Sequence, residues 1–192
     1  MDVTNDTRWI ALLRAINVGG HTVKMEHLRS LFVELGFGNV ATFIASGNVI
    51  FDAPTRDAPT LERRIEQHLH DSLGYAVTTF IRTPAELAAV AQQQPFAPAE
   101  LADQTNALYV AFLPAAPTSE AQARLLTHRS AADDFHMDGR EIYWLCRTKM
   151  SESAFSGARL EKAIGLPATM RNITTVRKLA AKYGGKALEN TD

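Results

Sequence analysis

Residues 8–51 read RWIALLRAINVGGHTVKMEHLRSLFVELGFGNVATFIASGNVIF, and this stretch decides the fold. The apolar run from Trp9, broken only by Arg14 before Ile16, predicts a strand over 8–16. RAINVGGHTVK, residues 14–24, then forms a strand-to-helix loop with two adjacent glycines. Met25, Leu28, Leu31, Phe32 and Leu35 recur at three- and four-residue spacing, which predicts a helix over 25–35 that Gly36 stops. Residues 40–45 and 49–51 flank the turn Ser46-Gly47-Asn48 and read as a hairpin. From there outward, Leu61, Ile65, Leu69 and Leu73 are spaced by four on a helix opened by Pro59 and closed by Gly74. Residues 75–82 give a further strand. The order is βαββαβ.

Thr83-Pro84-Ala85-Glu86 is a capping box with proline at the first helical position, so a helix runs to about residue 93. PFAPAELADQT, residues 95–105, reads as an irregular linker, and the pattern restarts beyond it. Residues 107–113 predict a strand, 118–128 a helix, and 134–137 and 141–146 a hairpin about Asp138-Gly139. A helix over 153–164 ends at Gly165. A short strand over 168–171 precedes a last helix over 174–183. No sequence repeat is visible, yet the second half reads βαββαβα. The fold expected is α+β, two tandem ferredoxin-like halves with antiparallel sheets and an extra C-terminal helix. Its parts are 8–83, a helix and linker over 84–106, and 107–184.

In a ferredoxin-like sheet the strand order is 4-1-3-2, so the first and second strands run the same way. The loop after strand one and the turn between strands two and three therefore lie at one end. Arg14, Asn17, Gly19, Gly20, His21 and Lys24 are thereby expected near Ser46, Gly47 and Asn48. Glycines let backbone approach a ligand, and the first N–H groups of the following helix favour an anion. A charge at an apolar strand end also needs a partner. The alternative is that these residues only build turns, with Ser46 and Asn48 bonding their own backbone. A second cluster, Lys149, Ser151, Ser153, Arg171 and Asn172, gathers at one end of the second half and could cradle an oxyanion. Capping of the last helix by Asn172 or Thr174 is the competing role.

Net charge is −1 and the pI about 6.6, which argues against a dedicated duplex-DNA binder. Charge is uneven, with 10 Lys/Arg against 16 Asp/Glu over 1–138 and 10 against 5 over 139–192. Met170 to Lys186 holds Arg171, Arg177, Lys178, Lys182 and Lys186 and no acid. The single cysteine, Cys146, forms no internal disulfide and fits a reducing cytoplasm. Its alternation with Ile142 and Trp144 points to a buried thiol. Residues 1–7 read as a frayed polar tail without a signal-peptide core, and no apolar run reaches membrane-spanning length. The glycine run lacks P-loop and GxGxxG spacing. The six histidines, at 21, 27, 68, 70, 128 and 136, show no ligand spacing, so no metal and no cofactor is expected. The aromatic strand of RNA-recognition domains is missing, and Phe43 and Phe51 read as core or dimer contacts.

At these motifs the chain resembles the family catalogued as DUF1697. Residues 11–51 are similar to its opening ALLRGINVGG…VKM..LR..FE.LGF..V.TYI.SGNV.F. IRTPAEL (81–87), QPF (94–96) and ATMRNITTVRKL (168–179, against TxRNxxTVxKL) match more loosely. The resemblance covers roughly 8–184 and departs from the pattern twice. Ala15 replaces a glycine, which argues against positive φ there, and CRTKMSES (146–153) replaces a glycine-rich GxGxSKL-type segment. The resemblance implies a duplicated ferredoxin-like fold and no established reaction, cofactor or catalytic residue.

Three functions follow. The first is binding of a small phosphate- or carboxylate-bearing ligand by Arg14, Asn17, Gly19, Gly20, Lys24, Ser46 and Asn48. The second is a nucleic-acid-associated module on the basic C-terminal helix, with contacts from Lys149, Ser151, Arg171, Asn172, Arg177 and Lys178. The third is a non-catalytic interaction or dimerisation scaffold. Open sheet edges favour a homodimer in each.

Overall fold

The computed structural model describes residues 6–17, 19–45 and 47–184. They form two compact units, residues 6–88 with 179–184, and residues 89–178. The first unit's sheet contains β1 (Thr7–Leu13), β2 (Gly38–Phe43), β3 (Asn48–Ala53) and β4 (Thr79–Arg82), in the order β2-β3-β1-β4. Helices α1 (Met25–Glu34) and α2 (Ala58–Leu73) connect them, and α3 (Pro84–Gln92) follows. The short α4 (Pro98–Ala102) precedes the second sheet, made of β5 (Ala107–Phe112), β6 (Asp133–Asp138), β7 (Glu141–Cys146) and β8 (Thr169–Asn172). Its order is β6-β7-β5-β8, with α5 (Ser119–Leu126) and α6 (Gly157–Ile164) as connections and α7 (Ile173–Tyr183) last. All strand pairs are antiparallel.

Both faces of β1, β3 and β4 are buried, which explains the unbroken apolar run of β1, while the edge strand β2 is partly exposed. Trp9, Ala11 and Leu13 share one core with Leu28, Phe32, Leu61, Ile65 and Leu69 of the two helices. Ile10, Leu12, Ile50 and Phe80 alternate with that set and are buried too. Each large side chain so removed from water contributes roughly 1.5–3 kcal/mol. In the second unit Ala111, Ile142 and Trp144 pack with Leu125, Leu160 and Ile164 in the same way. The correspondence extends to polar positions. Arg82 faces Ile10 across the first sheet, and Arg171 faces Val110 across the second. Both are buried, and each donates Nη1 to the preceding residue's carbonyl at 2.9 Å. Burial pushes the Arg171 guanidinium down to about 10.

The edge strand β4 has its own cover. Glu66 and Glu62, one turn apart on α2, accept the N–H groups of Thr79 at 2.8 Å and Ile81 at 2.9 Å. Glu161 of α6 accepts the Ala168 N–H at 2.7 Å in the second unit. These carboxylates occupy the donors through which another strand would pair.

Several boundaries differ from the periodicity. β1 stops at Leu13 because Ala15 is left-handed, at φ +57°, and the Arg14 N–H to Thr78 O bond is the last in register with β4. This corrects the expectation that alanine excludes positive φ at position 15. β2 ends at Phe43, since Ile44 is also left-handed, at φ +48°, and Asn48 belongs to β3, opposite Phe43. The β6–β7 loop is Gly139-Arg140 rather than Asp138-Gly139, because Asp138 pairs with Glu141. Gly139 has φ +56°, at the first central position that a type II′ turn reserves for glycine. The 95–105 linker carries α4, for Pro98 opens a helical turn with Glu100 in it. α6 starts at Gly157 because Ser156 caps it and Ser153 is committed elsewhere. The Thr83–Glu86 capping box forms as expected, with Thr83 N to Glu86 Oε2 at 2.7 Å and Glu86 N to Thr83 Oγ1 at 3.2 Å.

Candidate functional site

The loop after β1 and the β2–β3 turn meet at one end of the first sheet. The Leu13 N–H donates to Gly47 O at 2.8 Å. Asn17 completes the joint, donating Nδ2 to Ala45 O at 3.1 Å and accepting the Val23 N–H at 2.7 Å. Gly47, at φ +74°, is required by packing as well as by conformation. A Cβ there would lie 2.7 Å from Ile16 Cγ2 and 3.1 Å from Leu13 Cβ. Asn48 is fully buried and donates Nδ2 to Phe43 O at 2.9 Å. Asn17 and Asn48 therefore hold the loops in place, and their amides are spent on backbone.

Tyr75 braces the loop from another side. Its hydroxyl donates to Ile16 O at 3.0 Å, and its ring stacks on His21 with centroids 3.8 Å apart. Burial raises its phenol, so it serves as a neutral donor.

What this scaffold presents to solvent is Gly19, Gly20, His21, Thr22 and Lys24, all exposed. Gly19 and Gly20 have φ of +65° and +88°, with open space where a Cβ would stand. Their glycine character thus serves backbone conformation and not packing. Lys24 occupies the N-cap position of α1 and makes no side-chain cap, so the first-turn N–H groups are not closed by that residue. Arg14 is half-buried beside this loop. Ser46, expected here as a ligand contact, lies outside the described residues.

Lys149, Ser153, Arg171 and Asn172 of the second expected cluster have separate partners. Lys149 pairs with Glu152 at 3.8 Å, and Ser151 is exposed. Ser153 donates to both oxygens of the buried Asp133 at 2.9 Å, a carboxylate that also takes the Trp144 Nε1–H at 2.8 Å. Arg171 is buried and donates to Thr169 Oγ1 at 2.9 Å, so it is not an exposed cation. Asn172 accepts the Thr174 N–H at 2.8 Å and caps α7. Arg177 reaches Ala91 O at 3.4 Å, and Lys178 is exposed. Lys182 sits 5.7 Å from the Phe43 ring centre and 5.2 Å from that of Tyr183. The buried acid Asp133 and the bracing ring of Tyr75 gave no signal in the sequence, since neither sits in a motif.

Among the described residues no group of three His, Cys, Asp or Glu side chains could hold a metal ion. No helix among them is long and apolar enough to cross a membrane. Cys146 is buried, with Sγ 3.1 Å from Thr148 O.

The family model DUF1697, described as a protein of unknown function, matches residues 7–143. The structure of the conserved bacterial protein SP0830 from Streptococcus pneumoniae is similar at a TM-score of 0.74 and 20% identity. The match covers 94% of this chain and 99% of that one. At that identity the likeness concerns the fold. No curated protein matches the sequence.

Proposed function

The chain belongs to the DUF1697 family, and for this member of it we propose binding of a small phosphate- or carboxylate-bearing molecule at the loop between β1 and α1. Each half is read as a ferredoxin-like unit, 8–83 and 107–184, and the protein as one of the reducing cytoplasm. Gly19 and Gly20 offer backbone N–H groups, and Lys24 and Arg14 supply positive charge. Asn17, Asn48 and Tyr75 keep the loop rigid, which lowers the ordering cost of binding. The observation that carries the proposal is the pair of exposed left-handed glycines with free space around them, since packing alone does not demand them. The nucleic-acid reading loses support, because Arg171 is buried and Asn172 is committed to capping α7.

Thermal unfolding of the wild type and of Lys24→Ala with inorganic phosphate, nucleoside phosphates and dicarboxylates tests this. A ligand at ~100 times its dissociation constant adds roughly 2.7 kcal/mol to stability, a clear rise in Tm. One anion class should raise the Tm of the wild type and act far more weakly on Lys24→Ala. If every anion leaves both proteins unchanged, the loop is a structural joint and the proposal fails.

A further inference from the structure

The second unit carries a cleft of about 230 Å³ at the end of its sheet where β5 begins and β7 and β8 finish. Its lining is divided by chemistry. Leu108, Leu145 and Ile173 are buried and apolar, whereas Asp103 and Arg177 are exposed and opposite in charge. Asn172 also lines it, with Oδ1 engaged by the Thr174 N–H, which leaves Nδ2 as a donor. Arg177 lines it too, with Nε engaged by Ala91 O at 3.4 Å, which leaves its two terminal amino groups as donors. Asp103 takes the Thr105 N–H at 2.9 Å and hydroxyl at 2.7 Å on Oδ1, and these bonds hold its carboxyl below the usual carboxylate range.

A phosphate dianion fits this lining poorly, because the lining holds two carboxylates, Asp103 and the Arg147-paired Glu100, against the one guanidinium of Arg177. A purely apolar molecule would leave both charges unused. We infer that the cleft binds a free α-amino acid with an apolar side chain. The ligand carboxylate meets Arg177 and the Asn172 amide, its ammonium meets Asp103, and its side chain lies on Leu108, Leu145 and Ile173. Small-molecule sites commonly combine an apolar floor with a few placed polar groups, and guanidinium–carboxylate pairs add geometric selectivity. The inference concerns a different unit from the β1–α1 loop and stands apart from that proposal.

The test is heteronuclear NMR on the full chain, titrated with L-leucine, L-methionine and L-phenylalanine, and with isocaproate and isoamylamine as analogues lacking one charge each. At least one amino acid should give saturable shifts at the amides of residues 103–108 and 172–177. Both analogues should bind at least ~10-fold more weakly, as expected for loss of a charge-assisted bond. Arg177→Gln and Asp103→Asn, both on the surface, should each weaken the amino acid by ~10-fold while leaving other amides in place. Absence of saturable shifts with all three amino acids overturns the inference. So does an isocaproate affinity equal to the amino acid's, or unchanged binding by both variants.

Discussion

The two halves make the same joint with different surroundings. Leu13 N donates to Gly47 O at 2.8 Å in the first, and Leu113 N donates to Arg140 O at 2.9 Å in the second. In the second half a two-residue loop suffices, and Thr118 caps α5 through the Ala121 N–H at 3.2 Å. In the first half the turn is longer and has left-handed Ile44 and Gly47, while Ala15, Gly19 and Gly20 are left-handed in the facing loop. The helix that follows has no side-chain cap. The same architecture is thus closed by one left-handed glycine at one site, and at the other by glycines together with the costlier left-handed Ala15 and Ile44. The strain rests on Ala15 and Ile44, since glycine takes positive φ without a Cβ penalty.

That contrast can be broken by substitution. Gly47→Ala combines a left-handed alanine with overpacking against Ile16 and Leu13, and should cost about 3 kcal/mol. Gly139→Ala meets only the φ penalty and should cost about 1 kcal/mol. Urea unfolding of the two variants measures the gap, and equal losses would erase the distinction between the turns. At the helix starts the signs should be opposite. Thr118→Ala should lose about 1 kcal/mol, whereas Lys24→Ser should gain about 0.5–1 kcal/mol by supplying a missing cap. If the β1–α1 loop binds anions, Lys24→Ser is more stable yet loses the anion-induced rise in Tm, a trade that calorimetry with and without ligand reveals. Ala15→Gly should stabilise by up to about 1 kcal/mol, relief of a left-handed alanine exceeding the entropy that glycine adds to the unfolded chain. A loss of stability there would mean that alanine is favoured by contacts outside its own backbone.

The smallest effect is electrostatic. Arg8 Nε meets Asp52 Oδ1 at 2.8 Å, and that hydrogen bond holds the Asp52 carboxyl below its ordinary value. Because the folded pKa is depressed, the stabilisation is complete above about pH 4, the unfolded carboxyl value, and fades as pH falls through the lower folded one. Arg8 is 45% exposed, so screening limits the contribution to under about 1 kcal/mol. Asp52→Asn should flatten this part of the acid limb in a pH series of unfolding curves.

Most elements were legible because they rest on local signals. The spacing of Leu61, Ile65 and Leu69, the Thr83–Glu86 box and the alternation of Ile142, Trp144 and Cys146 each state their structure within one turn or one strand. Errors fell where the chain reverses. Nothing adjacent in sequence says that Ala15 and Ile44 will be left-handed, since neither alanine nor a β-branched isoleucine adopts positive φ readily. The candidate loop was legible in position, while the roles within it were not. Asn17 and Asn48 carry amides suited to a ligand, and the fold uses them on Ala45 O, Val23 N and Phe43 O.

By itself the sequence determined the βαββαβ order of each half and the inward alternation of Ile142, Trp144 and Cys146. Hydrophobic periodicity and capping residues act over three or four positions and need no other part of the chain. Only the tertiary structure decided which polar side chains remain for chemistry. A buried amide, guanidinium or carboxylate must find a partner, and for Asn48 and Asp133 the partner is set by packing.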